Sequence, residues 1–80
     1  MTGNFNTISN CVVEGVPAGV ARGIYVSGTG VTYGNNWIEM ASNGVAQGKD
    51  NVGVVFENLR DARIQDLFIL SPRQRAQFIN

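Results

Sequence analysis

No histidine and only one cysteine, Cys11, occur in these 80 residues. A single thiol excludes an internal disulfide, cannot make a zinc site, and as a nucleophile would lack an imidazole to activate it. Charge is scarce as well: six basic residues balance six acidic ones, for a formal net charge of zero. A nucleic-acid surface needs clustered Lys and Arg, so nucleic acid is not an expected partner. No apolar run approaches the roughly 20 residues that a membrane-spanning helix requires, and no stretch resembles a signal peptide, so membrane insertion is not expected. Redox compartment stays open. The opening Met-Thr-Gly reads as an internal fragment given a start codon.

Helical periodicity is also missing. Between residues 1 and 70 no window places apolar residues at i, i+3, i+4 and i+7 for three turns. Ten glycines, with many Val, Ile, Asn and Thr, point instead to short strands broken by turns, an all-β chain. In "GIYVSG" Ile24 and Val26 share a face, and in "GVVFEN" Val54 and Phe56 do.

What is present is a repeat. "ISNCVV" (Ile8–Val13) returns as "IQDLFI" (Ile64–Ile69), and "WIEMAS" (Trp37–Ser42) is a looser version between them. Gly23-Ile-Tyr-Val-Ser and Gly53-Val-Val-Phe-Glu form a second series. The two types alternate, giving expected strands at Asn6–Val13, Gly23–Ser27, Asn36–Met40, Gly53–Glu57 and Arg63–Leu70. Such a layout is what a β-solenoid requires: an apolar inner row useless alone, buried by stacking coils about 4.8 Å apart. Ile8, Ile38 and Ile64 are expected to lie above one another. Asn10 and Asp66 are expected at a bend that favours left-handed backbone, after which Cys11 and Val13, or Leu67 and Ile69, point in again.

The tail reads differently. In "SPRQRAQF" Ser71 is placed as an N-cap, Pro72 at the first helical position and Gln74 as the reciprocal capping residue, so a short helix Pro72–Phe78 is expected. The chain thus divides into β coils over residues 1–70 and a capping turn over 71–80. An 80-residue chain buries only about 60% of the surface its unfolded form exposes. With no staple available, oligomerisation is the remaining device.

The motifs "NTISNCVVEG", "GIYVSGTG…YGNNWIEM" and "GVVFENLRDARIQDLFI", which cover residues 5 to 70, resemble the parallel β-helices of bacteriophage tailspike and tail-fibre proteins. The resemblance implies a short right-handed parallel β-helix, or an intertwined triple β-helix or β-prism, in a homotrimer. It further implies a structural and trimerising role in the virion's tail, in support of attachment to host-surface polysaccharide. Pectate-lyase-like enzymes and bacterial adhesins share the pattern, so a polysaccharide depolymerase and an adhesin segment are the alternatives. The family's β-helices run to many more coils, which suggests a terminal, trimer-forming piece.

Chemistry is thinly represented. A glycosidase needs two carboxylates across a groove, and the weak candidates are Glu39, Glu57 and Asp61, each better explained as a solvated face or turn residue. "QGKDN" offers too few oxygen ligands for calcium, and "GTGVTYG" lacks the Gly-Lys-Ser/Thr end of a phosphate loop, so no metal or cofactor is expected. Tyr25 and Trp37 should point outward and Tyr33 should lie in the loop between. All three are candidates for stacking on sugar rings or for anchoring a subunit interface, the latter favoured in so small a chain.

Overall fold

The computed structural model describes residues 1–16, 22–40, 52–71 and 74–80. Seven strands account for most of them: β1 Thr7–Ser9, β2 Val12–Val16, β3 Arg22–Thr29, β4 Thr32–Met40, β5 Val52–Arg60, β6 Arg63–Leu70 and β7 Gln74–Ile79. The chain is all-β, and among the described residues every strand pairing is parallel. One sheet, here sheet A, runs β3-β5-β7; in the other, sheet B, β4 lies between β1/β2 on one side and β6 on the other. The chain therefore visits the two sheets alternately, each visit one strand further along.

Side-chain alternation explains why the sheets face one another. Along β4, Tyr33, Ile38 and Met40 are buried and Trp37 and Glu39 exposed. These buried side chains meet Ile24, Val26, Val54 and Phe56 of sheet A in one core, with Val31 and Ile69. Tyr33 and Phe56 meet edge to face across it (ring centroids 5.1 Å apart, planes at 86°), and Phe56 stacks on Phe78 (5.1 Å, 21°). Each such pair contributes about 0.5–1.5 kcal/mol beyond simple burial.

The corners are built from left-handed residues in register. Asn10, Asn35 and Asp66 have φ of 57°, 53° and 54° and fall at one level-to-level column of sheet B. Asn35 Nδ2 donates to Asn10 Oδ1 at 2.7 Å, tying adjacent corners together. A second column is Phe5, Gly30 and Asp61 (59°, 68°, 53°), with Phe5 N donating to Thr29 O and Gly30 N to Arg60 O. Asn and Asp adopt this conformation at least cost among residues with a Cβ, which is why they recur there. The bend expected at Asn10 and Asp66 is present, with Asn35 as its third member. It splits the expected strand Asn6–Val13 into β1 and β2.

Two expectations are corrected. Ile8, Ile38 and Ile64 do not share a column. Ile8 pairs with Tyr33 and Tyr33 with Ile64, whereas Ile38 stands between Val13 and Ile69. Neighbouring levels of sheet B are offset by 25 residues (Thr7↔Thr32) and then by 31 (Thr32↔Arg63). The overall distance from Ile8 to Ile64 was legible; its division was hidden by the unequal connecting segments 17–21 and 41–51, which lie outside the described residues. The expected helix Pro72–Phe78 is instead a strand over Gln74–Ile79, paired with β5 from Val52↔Gln74 to Glu57↔Ile79. Pro72 and Arg73 lie outside the described residues. A helix of seven residues is unstable alone. The free edge of β5 satisfies the same backbone and lets Phe78 stack on Phe56. The tail is thus part of sheet A rather than a separate cap.

Candidate functional site

The outer face of sheet B carries an apolar column that is left exposed among the described residues. Val12, Trp37 and Phe68 are register partners on β2, β4 and β6, and Leu70 lies two residues beyond Phe68 on the same face. They are 65%, 40%, 46% and 50% exposed, respectively. With strands about 4.8 Å apart, the three aligned positions form a ridge along the stacking direction. Beside it lie the exposed acids Glu14 and Glu39, which follow Val13 and Ile38 on neighbouring strands. An outward aromatic flanked by two apolar neighbours is an unusual thing to leave in water, and contiguous exposed apolar surface marks a docking face.

Of the three aromatic candidates, only Trp37 belongs to that face. Tyr33 is corrected: it sits within β4, not in a loop, and is 1% exposed, so neither a sugar nor a partner chain can reach it. Burial raises its pKa, opposed by the Asn36 side chain. Its hydroxyl reaches no hydrogen-bond partner among the described residues. Tyr25 does point out from sheet A, but it is engaged on two sides. Its hydroxyl donates to Glu57 Oε2 at 2.7 Å, and the Arg22 guanidinium lies 5.0 Å from its ring centroid. The guanidinium thus occupies one face of the ring. The Glu57 hydrogen bond is the main reason that the Tyr25 pKa is raised; burial and the Glu57 charge add to it, and Ser27 and Arg22 oppose it.

Both tyrosines therefore hold their protons more tightly in the folded chain than in the unfolded one, where phenols titrate near 10. The associated stability is fully present below pH 10 and is lost as pH rises through the raised folded values. The denaturant midpoint should be level to about pH 9 and fall above pH 10, and Tyr33→Phe should shrink the fall. An identical alkaline profile in wild type and Tyr33→Phe would count against the buried phenol.

Glu39 and Asp61 are not brought together. Glu39 lies near the end of β4, whereas Asp61 occupies the corner column of Gly30, nine residues back along the same level. At about 3.3 Å per residue nine residues reach up to roughly 30 Å, shortened by the bend at Asn35, against the roughly 5–9.5 Å of a glycosidase pair. Glu57 is held by Tyr25, and Asp61 forms a left-handed corner. The register partner of Glu39 on β6 is Leu70, and Glu14 falls where the register of β2 shifts between Val13 and Val16. Among the described residues no group of three His, Cys, Asp or Glu side chains could hold a metal ion.

Sequence reasoning missed Val12, Phe68 and Leu70 as members of the face. The signal was available: Phe68 and Trp37 each lie one residue before an inward isoleucine, Ile69 and Ile38, in the repeat. The chain matches no protein-family model, and neither the curated proteins nor the solved structures contain a significant match to it.

Proposed function

We propose that this chain is a structural segment of a bacteriophage tailspike or tail fibre: a short right-handed parallel β-helix that trimerises through the outer face of sheet B. The reading is carried by the Val12–Trp37–Phe68 column. Parallel strands that alternate between two sheets are what successive coils of such a helix produce, and parallel crossovers are overwhelmingly right-handed. In a three-fold assembly the three Trp37 columns face one another near the axis. Trp is the residue most often found to dominate such contacts. Covering side chains of this size contributes about 1.5–3 kcal/mol for each one fully withdrawn from water. The chain's part in attachment to host-surface polysaccharide is then to hold the assembled spike, while binding falls to surfaces that the trimer presents.

Light scattering at low micromolar concentration is expected to give three times the 8.6 kDa of one chain. Phe68→Glu, which puts a charge on an already exposed position, is expected to give single chains with unchanged circular dichroism. A wild-type chain that is monomeric and melts cooperatively would remove the reading.

A further inference from the structure

We infer that the two sheet edges left open among the described residues are complementary halves of a single level, so that copies of the chain stack end to end. Each sheet holds three levels: β3, β5 and β7 in sheet A, and β1/β2, β4 and β6 in sheet B. Within a level the chain passes from sheet A to sheet B, from β3 to β4 and from β5 to β6. Consequently β7 stands one level beyond β6, and β1/β2 stand one level before β3. At one end sheet A overhangs; at the other, sheet B does. The open edge of β6 beside the overhanging β7 is a slot one strand wide. The free edge of β1/β2 in a second copy is a tongue one strand wide, and all its strands run in the matching direction.

The side chains continue the existing columns across that junction. Ile64, Leu67 and Ile69 would meet the next copy's Ile8, Cys11 and Val13, as their in-register counterparts on β4 already do. On sheet A, β7 would pair with the next copy's β3, so that Ala76 meets Ile24 and Phe78 meets Val26, because both strands already share the register of β5. Leu67, Phe78 and Ile79, now 39%, 64% and 37% exposed, would be covered. No like charges meet: Arg63 falls opposite Thr7, Gln65 opposite Ser9 and Gln74 opposite Arg22.

Hydrogen-bond polarity at the corner also matches. Asn35 Nδ2 donates to Asn10 Oδ1, so the amide donors of this column point toward the β1/β2 end. At that end the Asn10 amide has no acceptor among the described residues. At the other end Asp66 offers only acceptor oxygens. The next copy's Asn10 would donate to Asp66 in the same sense as Asn35 donates to Asn10. The place on β3 that β7 would take is now held by Met1 and Thr2, through one bridge (Thr2↔Ser27) and the contacts Met1 N to Tyr25 O (2.6 Å) and Ser27 N to Met1 O (2.9 Å). Six residues of β7 replace two. The Gln74 Nε2 to Ala76 O bond (2.9 Å) covers one edge carbonyl, which has a second lone pair to share. Such a contact is head to tail and does not close, so it yields linear stacks.

Cysteine placement tests the junction on the 80-residue chain. Leu67→Cys puts a thiol two levels from Cys11 within a chain, roughly 10 Å, but one level, about 4.8 Å, from the next copy's Cys11. Only the second lies within the roughly 4.4–6.8 Å that a disulfide spans. After mild oxidation, non-reducing electrophoresis should show a ladder beyond the dimer for Leu67→Cys and none for Gln65→Cys, whose side chain faces out. Wild type, with one cysteine, stops at dimer. In a concentration series, Asn10→Asp keeps the acceptor for Asn35 but sets two carboxylates against each other at the junction. It should abolish mass growth, and Asn10→Asp/Asp66→Asn should restore it. No ladder for Leu67→Cys, equal ladders in both cysteine variants, or mass growth indifferent to Asn10→Asp would overturn the stacking. None of these outcomes depends on lateral trimerisation.

Discussion

Gly53→Ala is expected to cost more than about 3 kcal/mol, a large share of what holds a domain of this size together. The reason is space rather than backbone conformation. A Cβ at Gly53 would lie 2.7 Å from the Arg75 carbonyl oxygen and would run into the Ile69 side chain. Arg75 belongs to β7 and is fixed on both sides by the pairs Val52↔Gln74 and Val54↔Ala76. Ile69 is itself packed in the core. Neither can withdraw without separating strands, and overpacking that moves backbone exceeds the usual 1–3 kcal/mol. An 80-residue domain has only about 4–12 kcal/mol in total. Gly23 is in the equivalent position one level away, with Gly53 O at 2.6 Å and Ile38 Cγ2 at 2.8 Å from its notional Cβ. Gly34→Ala is the control: nothing lies within 4 Å there, so its effect should stay within about 0.5 kcal/mol. Urea melts of the three variants decide the matter. A Gly53→Ala midpoint close to that of wild type would mean that the sheets do not approach at this corner.

The glycine spacing of 30 was visible in the sequence, as was the shared face of each following pair, because period-two alternation writes itself directly into residue order. Arg63–Leu70 could be bounded to the residue for the same reason. The register of Ile38 could not, since offset depends on how much chain each connection takes up, and composition does not reveal that. The tail failed for a different cause. Ser71, Pro72 and Gln74 form a genuine local helix-start signal, but the unpaired edge of β5 offered more than seven helical residues could. On the face, Trp37 was legible and Phe68 was not singled out, because a ridge exists only once three strands are aligned. The carboxylates went the same way: six acids in a short sequence look pairable until the register sets Asp61 in the corner column of Gly30, nine residues from Glu39.

Asn36→Leu should destabilise the chain by about 2–4 kcal/mol, although leucine fits the volume and Leu67 holds the same column one level on. Asn36 is fully buried, and both halves of its amide are in use. Its Oδ1 accepts from Cys11 N at 3.0 Å, and its Nδ2 donates to Ile8 O at 3.1 Å. Those two backbone groups flank the left-handed Asn10, where the bend interrupts the ladder between β1 and β4. The side chain thus replaces the strand pairing that the corner removes. Leucine leaves both groups unpaired, each at a cost of about 1–3 kcal/mol that partial access to water at this edge level moderates. Asn36→Asp separates the two halves: it keeps the acceptor for Cys11 but loses the donor to Ile8 and buries a charge, so it should be no better than leucine at neutral pH and should recover as the acid is protonated. Because Asn36 opposes the raised pKa of Tyr33, the leucine variant should also shift the Tyr33 titration further upward. Equal stability of Asn36→Leu and wild type, with the Tyr33 titration unmoved, would show that the amide is not what joins the first two levels.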